Sequence, residues 1–175
     1  LLLKLPTTTP TPTSTATHTP TITLTPTPTA TATPRVLQFC RNFSGFPLPI
    51  PDGEPDGVSD SNQVDISGQI LDLNLSLRIN HTYVSDIWAT LRHVETNTTI
   101  ELIRRAGGFS CSGDNIAAEL DDSALVPISD SAACLVSQTP AISGDLRPYG
   151  LLSAFNNQNI QGSWALNVSD RSVTD

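Results

Sequence analysis

The chain has 175 residues, enough for one core-bearing domain and some additional sequence. Its 17 acidic side chains outnumber 9 basic ones for a formal net charge of -8, and Arg78, Arg92, Arg104, Arg105, Arg147 and Arg171 are scattered among acidic neighbours. That balance excludes a nucleic-acid surface, which needs clustered Lys and Arg, and no apolar run reaches the length that spans a bilayer.

Residues 1–35 are almost wholly Thr and Pro with a few Ala, too little apolar surface to offset the entropy of an ordered backbone. Thr9 to Pro12, Thr19 to Pro20, Thr25 to Pro28 and Thr33 to Pro34 repeat Thr-Pro, so a disordered, extended linker is expected. At a polyproline rise of roughly 3.1 Å per residue it reaches up to about 100 Å. Leu1 to Leu5 is too short for a signal peptide and the composition contains no Met. The expectation is a piece of a longer exported precursor, secreted or on a cell surface, with a bacterial style of stalk. Residues 36–175 form the domain, expected to be monomeric.

Asp52 to Gly57 has the alternating oxygen donors of half an EF-hand loop, but its twelfth position is Gln63, so a turn into the first strand is the better reading. Val64 and Ile66 precede Leu71, Leu73, Leu75, Leu77 and Ile79, which alternate with polar residues and predict one long strand. Ile87, Ala89 and Leu91 continue the pattern, and Trp164, Leu166 and Val168 repeat it. Gly107-Gly108, Ser112 to Asn115, Ser143 to Asp145 and Asn156-Asn157 supply turn chemistry between strands. Asp121 to Ile128 reads as a loop with a short strand around Leu125 to Ile128. The fold class is all-β, a sandwich or jelly roll.

Three cysteines, Cys40, Cys111 and Cys134, are an odd number for an extracellular chain, and they are either partly bridged or all reduced. None has zinc-ligand spacing. Of the histidines, His18 lies in the linker, His81 reads as a hydrogen-bonding residue at a strand end, and His93 as a strand residue facing solvent or a partner. No Gly-x-Ser-x-Gly elbow accompanies them, so the chain is expected to carry no catalytic residues and to need no cofactor. Asp86, Asp114, Asp121, Asp122 and Asp170 are candidate calcium ligands, being the hard oxygen donors that ion takes. Asn42, Asn74, Asn80, Asn97 and Asn167 open Asn-x-Ser/Thr sequons, a weak signal in so Ser/Thr-rich a chain.

The order of several motifs resembles the P domain that follows the catalytic domain in subtilisin-like proprotein convertases and bacterial secreted proteases. These include Ile50-Pro51-Asp52, Gly57-Val58-Ser59, His81-Thr82-Tyr83 with Ser85-Asp86-Ile87, and Thr98 to Leu102. Arg105 to Gly108, Ser112 to Asn115, Asp121 to Ala124, Arg147-Pro148, Leu152 to Phe155 and Gly162 to Asp170 complete the series. It covers roughly Ile50 to Asp175, with two departures. Val84-Ser85-Asp86 stands where convertases often carry an Arg-Gly-Asp-like sequence, and the family's last strand, with its Trp, is missing after Asp175.

The resemblance implies a jelly-roll-like β-sandwich, a disulfide between Cys111 and Cys134, and a partner on the missing strand for Cys40. It implies a non-catalytic accessory domain, packed on a subtilisin-like catalytic domain of the same precursor and supporting its folding, stability and calcium or pH behaviour. The long linker points instead to an independent adhesion or ligand-binding module. Trp88, Trp164, Tyr83 and Tyr149 are the large aromatic candidates for such a surface, and Trp164 is in phase with the core.

Overall fold

Apolar side chains recurring at every second residue can be buried only if the strand that bears them has a partner sheet facing it. A computed structural model describes residues 34–39 and 47–173 and meets that requirement with two sheets. The linker before Pro34, Cys40 and Asn42 lie outside the described residues.

Among the described residues the strands are β1 (Val58–Val64), β2 (Leu75–Ile79), β3 (Ile87–His93), β4 (Thr98–Arg104), β5 (Ile116–Leu120), β6 (Ile142–Leu146) and β7 (Gly162–Asp170). One sheet has the order β1-β7-β3-β4 with every pairing antiparallel. The other has the order β2-β5-β6, in which β5 and β6 run parallel, a departure from a purely antiparallel jelly roll. β7 lies between β1 and β3, so this sheet closes only when the two ends of the domain meet.

The core sits between the sheets. Leu77, Ile79, Ile116, Ala118, Leu120, Ile142 and Leu146 come from the smaller sheet, and Ile87, Ala89, Leu91, Leu102, Ile103 and Val168 from the larger. Leu102 and Ile103 are adjacent yet both fully buried, which a regular strand does not allow. A register shift opposite Ala89 and Thr90 resolves this, since the extra residue of a bulge re-aims its neighbour. Leu152 and Phe155, on the 3-10 turn Leu152–Phe155, are fully buried in the same cluster.

The long strand predicted from Leu71 onward is shorter in the structure. Only Leu75–Ile79 pairs, because β5 ends opposite Leu75 and offers no backbone to the residues before it. Ile70 bonds instead to Gln158 and Asn157, and Leu71 and Ile66 are exposed. Asp121 to Ile128 forms a loop in which Pro127 makes a single parallel bridge to Arg147, and Ile128 is fully buried. Asp52 to Gly57 is a pair of turns leading into β1, as read from its composition.

Candidate functional site

The candidate calcium ligands are dispersed. Asp121 Oδ1 accepts the Ser123 N–H at 2.7 Å and its Oδ2 accepts from Asn74 at 3.3 Å. The backbone N–H of Ser123, then the Ser123 hydroxyl and Asn74, hold this carboxyl below the usual aspartate range. Asp122 spends both oxygens on the turn that carries Leu152 and Phe155, accepting the N–H groups of Leu152 and Ser153, each at 2.8 Å. Asp114 is exposed and its carbonyl accepts from Ala141.

Asp86 and Asp170 do approach one another in the fold, since the Asp86 carbonyl accepts the N–H of Arg171 and Asp170 pairs with Ile87. Asp170 is fully buried, with Oδ1 accepting from Ser172 and Oδ2 facing His81 Nε2 at 3.7 Å. Among the described residues no three Asp, Glu, His or Cys side chains converge as a metal site. Asp121 and Asp122 serve turns remote in the pairing scheme from Asp86 and Asp170.

His81 is held at the end of β2 by a reciprocal pair: its N–H donates to Asn115 Oδ1 at 3.0 Å and its carbonyl accepts the Asn115 N–H at 2.9 Å. Both bonds are made by the main chain of His81, not by its ring. His93 differs from expectation, being fully buried rather than facing solvent. It shares the parity of Ile87, Ala89 and Leu91, so the alternation that defines β3 also turns it inward. Its Nδ1 lies 2.9 Å from Thr96 Oγ1, its Nε2 3.2 Å from the Gln161 carbonyl and 3.6 Å from Glu95 Oε2. Gly162 faces this site at φ +142°, and a Cβ there would collide with Glu95 and stand 2.7 Å from His93 Nε2. Thr96 and Thr98 hydroxyls also donate to Gln158 Oε1, so the β3–β4 turn is tied to the segment before β7.

Cys111 and Cys134 are disulfide-bonded, with Cα atoms 5.8 Å apart. The bridge joins the segment before β5 to the 3-10 turn Ser131–Ala133, which Asp130 caps by accepting from Ala132.

The aromatic candidates divide between inside and outside. Trp164 is half-buried against Phe155, and its Nε1 donates to the Ile160 carbonyl at 2.9 Å. Trp88 has the opposite parity to its buried neighbours on β3 and lies on the outer face of the larger sheet. Arg104 is its cross-strand partner on β4, with Cζ 4.8 Å from the ring centre, and Arg171 Cζ lies 3.9 Å from the same ring. The Arg104 Cζ is also 4.5 Å from the Tyr149 ring. Only the outward phase of Trp88 marks this assembly in the sequence, since the arginines join it through strand pairing.

Comparison with family models, with curated proteins and with solved structures gives no match.

Proposed function

We propose that this chain is a non-catalytic accessory domain of the P type, belonging to a secreted subtilisin-like serine endopeptidase and supporting the folding and stability of that enzyme. The observation that carries the reading is the meeting of motifs on which the resemblance rests. His81 lies 3.7 Å from Asp170, and Asp86 accepts the N–H of Arg171, so segments about 90 residues apart in sequence close one end of the sandwich together.

A second reading, a stalk-mounted adhesion or ligand-binding module, draws on the Thr/Pro composition of residues 1–35, which holds a domain away from its neighbour rather than against it. Proteolysis of casein by the complete precursor and by the 175-residue chain alone separates the two. The protease reading expects cleavage by the precursor, abolished by a serine-directed inhibitor, and none by the chain. A precursor that cuts nothing, or a chain that cuts unaided, overturns it.

A further inference from the structure

The outer face of the β1-β7-β3-β4 sheet carries a stack of rings and guanidinium groups running Tyr149, Arg104, Trp88, Arg171. Strand pairing builds it: Trp88 stands opposite Arg104 on one side and Ser169 on the other, with Arg171 two residues beyond Ser169. Tyr149 is brought to the same place by its N–H, which donates to the Leu102 carbonyl of β4 at 2.9 Å.

The arginines of this stack are in different states. Arg104 gives Nε and Nη2 to Glu101 Oε2 at 3.0 and 2.7 Å, so its charge is answered within the domain. Arg171 is exposed, and its guanidinium makes no ion pair among the described residues. On a chain of net charge -8, an arginine left without a carboxylate beside a tryptophan is a local reversal of sign. A guanidinium resting on a ring keeps its in-plane N–H donors, arranged as a fork that fits a carboxylate. The ring also restricts its rotamers, so less freedom is lost when a ligand arrives.

The geometry points to a docking face for polypeptide, whose occupant presents an Asp or Glu carboxylate to Arg171 and an apolar side chain to the half-exposed Tyr149. Trp, Tyr and Arg are the residues that dominate protein–protein contacts. Sugar stacking needs a bare ring, whereas guanidinium groups already lie over Trp88. This inference goes beyond the accessory-domain reading and stands without it, since any acidic polypeptide fits the same chemistry.

The test uses the two tryptophans of the chain, whose indole N–H resonances are separable by NMR. Trp88 reports on the face, and Trp164, bonded to Ile160, is the internal reference for the fold. The probe is the capped peptide Glu-Leu-Glu-Leu-Glu, compared with its Gln counterpart and with an oligogalacturonate of equal charge. Expected is a saturable shift of Trp88 alone, with Kd on the order of 1 mM or tighter, weakened by salt. The Gln peptide should bind at least about tenfold more weakly, the cost of losing one charged contact. Arg171→Gln should abolish the shift while leaving Trp164 unmoved, and Arg78→Gln, on the other sheet, should bind as the unaltered chain does. Absence of a saturable shift, equal binding of the Gln peptide, preference for the oligogalacturonate, or unchanged binding by Arg171→Gln would each overturn the proposal.

Discussion

The ring of His93 stacks on the indole of Trp164, with centroids 4.4 Å apart and planes inclined by 30°. Both come from the larger sheet, where His93 and Trp164 are direct cross-strand partners. Phe155, 5.0 Å from the indole, adds a third ring from the 3-10 turn. Removing a ring from such a cluster costs its contacts and leaves a cavity, about 3 kcal/mol for Trp164→Ala. His93→Phe keeps a ring but gives up the bonds to Thr96 and Gln161, about 1 to 2 kcal/mol. Urea unfolding should rank the variants in that order.

The bridge between Cys111 and Cys134 spans 23 residues of sequence. Closing a loop of that size stabilises by about 3 kcal/mol in the chain-entropy model, so the double Ser variant should unfold at correspondingly lower urea. Gly107, at φ +70°, lies where a Cβ would come within 2.8 Å of the Cys111 sulfur. Gly107→Ala is therefore also expected to lower the unfolding midpoint, against the usual gain of a Gly→Ala change.

Asp122→Ala should destabilise by about 2 kcal/mol, because charge-assisted bonds to the Leu152 and Ser153 N–H groups are lost and the turn that buries Phe155 is loosened. The same midpoint measurement checks it, with Asp114→Ala, an exposed aspartate, as the near-neutral control.

The Asp121 carboxyl is held below its ordinary range mainly by the Ser123 N–H, so the unfolded chain binds its proton more readily than the folded one. Stabilisation from this group is thus complete above the unfolded aspartate value and disappears as pH falls through the lower folded value. A carbon-13 NMR titration should place its midpoint below that of an unstructured Asp. Asp121→Asn should flatten the corresponding part of the acid limb of stability.

Strand identity was largely legible in the sequence. Alternation through Ile87, Ala89, Leu91 and through β7 marks real strands, and the parity of His93 turns it inward although its polarity points to solvent. Partners were not legible. Leu71 and Leu73 alternate as faithfully as Leu77 and Ile79, yet β5 stops opposite Leu75 and the pattern has nothing to pair with. The burial of both Leu102 and Ile103 depends on a bulge fixed by β3, and the work of Asp122 on a turn 30 residues away. Likewise, Arg104 and Arg171 reach Trp88 through pairings on opposite sides of β3. Such relationships are set by long-range topology, which local periodicity does not encode.

Thermal inactivation of the proposed protease precursor, with and without residues 36–175, tests the proposed role most directly. Loss of the domain should shorten the half-life of proteolytic activity at elevated temperature several-fold, as expected when a packed module lends stability to its neighbour. An identical half-life for the shortened enzyme, with equal yield of active protein, would contradict it.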